Sequence, residues 1–135
     1  MVRVYDPKDV NVIVGGVALT GFAEDTFVQA ERMEDSFTEY VGAKGEVAMA
    51  ESNNKTGEIT VTLEATSPSV EYLNRLANKK GQNAVFSVSV MDLNDDSRVV
   101  ISGAEARVRK PASHEYGKEI GEREFVIFVS EMEYR

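Results

Sequence analysis

Between Gly57 and Ala65 polar and apolar side chains alternate without a break. Ile59, Val61, Leu63 and Ala65 fall on one side, and Glu58, Thr60, Thr62 and Glu64 on the other. Period two marks a strand with one buried and one wetted face. The alternation recurs over residues 84–91 and turns Phe86, Val88 and Val90 inward. Near the amino end, residues 11–14 and 17–19 form two short β-branched runs around Gly15-Gly16. They predict a hairpin, because the favoured two-residue turns need positive φ. Residues 27–33 predict another strand, with Phe27, Gln29, Glu31 and Met33 on one face and Val28, Ala30 and Arg32 on the other. Neither face is cleanly apolar, as expected of a strand bordering a subunit contact or solvent. Residues 98–101 and 105–108 are strand pieces on either side of Gly103, which marks a bulge or bend. Residues 123–130 are apolar on both faces and predict a central strand.

The helical period appears once, over residues 67–80. Val70, Leu73, Leu76 and Ala77 form one stripe, with Tyr72 beside it. Ser67 is placed to cap the first free amides, and Pro68 at the first helical position loses no hydrogen bond. Glu71 suits the positive end, Lys79 and Lys80 the negative end, and Gly81 supplies a stop. Asn94-Asp95-Asp96 predicts a turn, and residues 110–122, polar with Pro111 and Gly117, predict a long loop. About six or more strands with one helix make a mainly β, antiparallel sandwich or partly closed barrel with the helix at its side. Residues 1–135 read as a single domain.

Residues 36–57 follow neither period. Phe37, Tyr40, Val41, Val47 and Met49 are spaced irregularly among Gly42, Gly45, Gly57 and the polar run at 51–55. Structureless loops of this length are uncommon inside compact domains. Disordered segments are poor in aromatic and β-branched residues, and this one is not. Gly42 and Gly45 bracket Ala43-Lys44, a tight turn. The segment therefore predicts a long arm with a hairpin at its tip, whose apolar side chains need a surface on another subunit.

The chain has 135 residues, enough to enclose a core. Its apolar share of 42% and charged share of 28% are ordinary for a globular chain. No apolar run approaches the ~20 residues of a bilayer span, so no membrane partner is expected, and the first residues lack the layout of a signal peptide. The chain has no cysteine, which removes disulfides and thiolate metal sites and fits assembly in a reducing cytoplasm. A net charge of −8 argues against a protein that grips nucleic-acid phosphates. The acid is front-loaded, because before Val41 only Arg3, Lys8 and Arg32 are basic. An acidic face is most often simply a solvated one.

Catalysis finds little support. His114 is the only histidine and lies in a polar loop. There is no nucleophile elbow, phosphate-binding loop or dinucleotide fingerprint. Asn94-Asp95-Asp96 lacks the glycine and distal glutamate of a calcium loop. Glu58 and Glu64 share a strand face, but six residues of strand put them about 20 Å apart, too far for paired glycosidase carboxylates. No cofactor or metal is expected.

Several short pieces in order carry a resemblance: Tyr5-Asp6-Pro7, Val12-Ile13-Val14-Gly15-Gly16, Gly21-Phe22, Phe27-Val28, Glu31-Arg32, Asp35-Ser36-Phe37-Thr38, Gly42-Ala43-Lys44-Gly45-Glu46, Gly57-Glu58-Ile59-Thr60 and Thr66-Ser67-Pro68-Ser69. Together they resemble the tail tube proteins of contractile-tailed bacteriophages, which are similar in architecture to type VI secretion tube proteins. The resemblance implies a structural protein of the virion tail, assembled in the host cytoplasm as stacked hexameric rings. It implies sheath, baseplate and tail terminator proteins as partners, with DNA passing through unbound. The arm, with Phe37, Tyr40, Val41, Gly42, Lys44, Gly45, Val47 and Met49, would then reach the neighbouring ring. The wet face Glu58, Thr60, Thr62 and Glu64 would suit the lumen, being acidic and free of lysine and arginine. A secretion tube protein is the near alternative. A β-sandwich binding module for carbohydrate or receptor is another class, disfavoured by the absence of tryptophan.

Overall fold

The computed structural model describes residues 4–24, 26–94 and 98–134. In chain order these form β1 (Val10–Val14), β2 (Val17–Ala18), β3 (Val28–Arg32), β4 (Phe37–Val41), β5 (Val47–Glu51), β6 (Gly57–Glu64), α1 (Pro68–Asn78), β7 (Phe86–Asp92), β8 (Arg98–Val108), β9 (Glu122–Val129) and β10 (Glu133–Tyr134). Asp95 and Asp96, part of the expected turn after β7, lie outside the described residues.

The main sheet runs β2-β1-β7-β8-β9-β6-β3, with β10 added to β8. Its neighbours pair antiparallel throughout. The β8–β9 seam is short: only Ala106, Arg107 and Val108 pair, with Val129, Phe128 and Ile127. On one side of it lie β2, β1, β7 and β8, and on the other β9, β6 and β3. The inward faces of the two halves share one core, where Val12, Val14 and Val88 meet Ile59, Phe125 and Ile127. The result is a β-sandwich with one helix. The partly closed barrel is not realised. The sheet path ends at β2 and β3 without joining them, and β2, two residues long, offers too few ladder bonds to seal an edge.

The expected hairpin forms at Gly15 and Gly16, whose φ values are +57° and +85°. On β6 the alternation is realised, with Ile59, Val61 and Leu63 fully buried. The face of β3 that joins the core is Val28 and Ala30. The strand pieces around Gly103 are one continuous eleven-residue strand. Val88 pairs with Gly103 but Phe86 with Ala106, so one extra residue of β8 is accommodated between them. That bulge reverses the parity of the strand. Ile101 and Gly103 face inward before it, Ala106 and Val108 after it. Gly103 itself lies against the Val129 side chain and leaves no room for a Cβ.

Helix α1 starts as expected: the Ser67 hydroxyl accepts from the Ser69 amide, and Pro68 follows at the first position. Val70, Leu73 and Leu76 are buried, and the Tyr72 hydroxyl donates to the Val14 carbonyl at 2.8 Å. The helix stops at Asn78, earlier than the expected Lys80, because Lys79 already has extended backbone (ψ 155°). Gly81, at φ +67°, opens a following 3-10 turn over Gly81–Ala84 instead of closing the helix.

Candidate functional site

The arm is more regular than its sequence. Strands β4 and β5, five residues each, pair only with one another in a separate two-stranded sheet. At the tip the Gly45 amide donates to the Gly42 carbonyl (3.0 Å) and the Gly42 amide to the Glu46 carbonyl (2.7 Å). Ala43 and Lys44 therefore sit at the centre of a tight turn, and Gly45 takes φ +87°. Phe37, Glu39 and Val41 share one face with their partners Glu51, Met49 and Val47. Thr38 and Tyr40 share the other with Ala50 and Ala48. Every residue of both strands is exposed, including Tyr40 (72%), Val47 (64%) and Met49 (68%). An isolated hairpin is marginally stable in water, and this one buries neither apolar face.

Its root, by contrast, is firmly held. The Ser52 amide donates to the Ser36 carbonyl (2.8 Å) and the Met33 amide to the Thr56 carbonyl (3.0 Å). The carboxyl-terminal segment closes over the same point. Met132 is fully buried, and its amide donates to the Lys55 carbonyl (2.8 Å). Arg32 donates to the Met132 carbonyl from Nη2 (2.9 Å) and Nε (3.3 Å) and lies over the Tyr134 ring, 5.3 Å from its centroid. Gly57 makes this closure possible. A Cβ there would stand 2.7 Å from the Met132 thioether and 2.9 Å from the Glu31 carbonyl oxygen. Nothing in the sequence around Met132 signals this role, since its flanking residues are charged and aperiodic.

The outer face of the β9-β6-β3 layer presents Glu58, Thr60, Thr62 and Glu64, half-buried except for the exposed Glu64. Glu64 stands directly opposite Glu122, Thr62 opposite Glu124, and Glu58 between Phe128 and Glu31. The expectation that this face lacks cations holds for β6 itself but not for its surroundings. Arg109, just beyond β8, reaches Glu58 with Nη2 3.4 Å from Oε1 and lies over the Phe128 ring at 5.1 Å. Arg109 also lines a recess of about 470 Å³ together with Lys110, Glu122 and Glu124. Carboxylates remain in excess. Strand periodicity could not reveal Arg109, because it is contributed by a neighbouring element.

The expected long loop follows, from Arg109 to Gly121. His114 is exposed in it, with Nδ1 3.2 Å from the Tyr116 hydroxyl. Among the described residues no cluster of histidine and carboxylates could hold a metal, and no helix is long and apolar enough to cross a membrane.

A family model described as bacteriophage PhiTE tail tube protein matches residues 11–134. The chain belongs to this tail tube family. The family is structural, so the protein is a tail structural protein and not an enzyme. This tail tube family protein is 28% identical over 134 residues to structural protein ORF10 of Pseudomonas phage KPP10, covering 93% of this chain and 78% of that one. Among solved structures it resembles the tube-terminating cap of the anti-feeding prophage, with TM-score 0.62, 14% identity and coverage of 100% and 93% of the two chains. It also resembles the sheath/tube terminator of the extracellular contractile injection system PVC, with TM-score 0.60, 11% identity and coverage of 98% and 97%. A chain of the PVC sheath-tube complex gives TM-score 0.59 at 14% identity, covering 97% and 92%. At these identities the structural likeness concerns the fold alone.

Proposed function

We propose that this tail tube family protein assembles into hexameric rings that stack into the inner tube of a contractile tail, inside a sheath, with DNA passing through. The observation that carries the reading is the arm: a hairpin anchored at its root, with apolar side chains on both faces and no surface of its own chain beneath them. Ordering about 20 residues costs on the order of 20 kcal/mol or more, and a stable contact needs about 1,000 Å² or more. A neighbouring copy supplies both. Lateral contacts have a template in β3, which ends the sheet path with one edge unpaired among the described residues. The outer face of β6 lines the channel in this reading. Phosphates meet carboxylates and hydroxyls there, and the few nearby cations are engaged or outnumbered, so a passing polymer finds little to grip.

A terminator that caps the tube is the second reading, favoured by the fold likeness to chains from two structures of tube ends. Electron microscopy of the purified protein at high concentration tests both. Rods with a central channel support a tube protein, single rings that never stack support a terminator, and monodisperse particles contradict both. A reconstruction that turns Glu64 and Thr62 away from the channel contradicts the lumen assignment.

A further inference from the structure

Arg123 occupies an inward-facing position of β9 and is only 3% exposed. Among the described residues no carboxylate pairs with it. Its Nη1 donates to the Glu122 carbonyl at 2.9 Å, and the Tyr116 ring covers the guanidinium at 5.4 Å. A guanidinium has five donors and does not lose its proton, and a buried charge without a counter-charge is costly. Arg123 lines a recess of about 260 Å³, together with Val70, Tyr116 and Ile120. Tyr116 and Ile120 are exposed although apolar. The site thus combines a largely buried cation with uncovered apolar surface, and asks for an apolar segment that carries a carboxylate.

We infer that this recess receives the arm of a second copy of the chain, with the Glu39 carboxylate against the Arg123 guanidinium. Glu39 lies between Phe37 and Val41 on one arm face and opposite Met49, so the carboxylate arrives inside an apolar strip. Lys44 at the arm tip supplies a second match, to Glu115 and Glu119 at the rim of the recess. Placement supports the same assignment. In the β6–β9 ladder Gly57 pairs with Val129 at the arm root, and Glu64 with Glu122 beside the recess. The eight residues of β6 separate those ends by about 23 Å. An arm leaving one end and a receptor at the other make a heterologous contact, which repeats along an axis instead of closing a pair. Among the described residues, the recess at Tyr5, Val10 and Phe27 has no charged side chain to meet Glu39.

This inference rests on the reading of the arm as a contact between copies, and the test separates the two. Because the chain has no cysteine, single thiols report on defined pairs. Differently tagged Met49→Cys and Ile120→Cys chains are mixed, assembled and treated with a mild oxidant. A disulfide between the two tags is expected, and none when Tyr5→Cys replaces Ile120→Cys. Rods in which Met49→Cys links to Tyr5→Cys but not to Ile120→Cys overturn the receptor and leave stacking intact. A wild-type chain that forms no assembly overturns both. Glu39→Gln should raise the concentration needed for assembly about tenfold or more, as loss of a hydrogen-bonded charge does, while Glu46→Gln in the turn should not. Equal thresholds for Glu39→Gln and wild type overturn the charge pairing.

Discussion

Gly57 links the root of the arm to the core. Its missing side chain lets Met132 sink to full burial, and the Met132 carbonyl then accepts both Arg32 hydrogen bonds. A methyl group at Gly57 meets the backbone oxygen of Glu31 at 2.9 Å, which cannot rotate away as the thioether can. Gly57→Ala is therefore expected to destabilise the fold by about 1–3 kcal/mol, as overpacking does. Gly117→Ala, where a Cβ meets nothing within 4 Å, should stay within about 0.5 kcal/mol. Urea melts of the two variants check this, and equal midpoints would contradict the account of Gly57. At this scale the sequence hid the residues that matter most. Met132 takes its role from Arg32, 100 positions away, Arg109 from Glu58 and Phe128 on neighbouring strands, and Arg123 from Tyr116 in the loop before β9. A lone cation inside an apolar strand gives no local sign of whether it faces the core or solvent.

At the scale of elements, what was legible was what is fixed locally. The glycine pair of the first hairpin, the alternation of β6 and β7, and the cap and stripe of α1 all lie within a few residues of what they determine. Leu73, fully buried, is expected to lose about 2–5 kcal/mol on truncation to alanine. Lys79→Ala at the exposed carboxyl end should change stability by only about a few tenths. A Leu73→Ala melt within about half a kcal/mol of wild type would mean that the helix packs by another face. Two element features were read incompletely. The bulge in β8 was visible as Gly103, but the parity reversal that reunites both halves as one strand depends on register against β7. The arm looked irregular because a hairpin with apolar residues on both faces has no period-two contrast. In the proposed assembly both faces are covered by neighbouring copies.

For the whole molecule, the division of labour follows the two ends of the β9-β6-β3 layer. One end carries an arm held by hydrogen bonds from β3, the segment before β6 and the chain's last residues; the other carries the recess around Arg123. Sequence alone singled out the arm and the acidic face, yet not the proposed receptor, since the recess is assembled from the turn after β6, α1, β9 and the loop between β8 and β9. The central claim is that the arm joins copies and contributes little to the fold of its own chain. Sedimentation velocity tests it most directly, comparing wild type at assembly concentration with a chain whose residues 37–51 are replaced by a short Gly-Ser turn. Wild type is expected to form large, concentration-dependent species. The variant is expected to be a small, fully folded species that retains the β-rich circular dichroism spectrum. A folded variant that sediments in the same large species as wild type would contradict it.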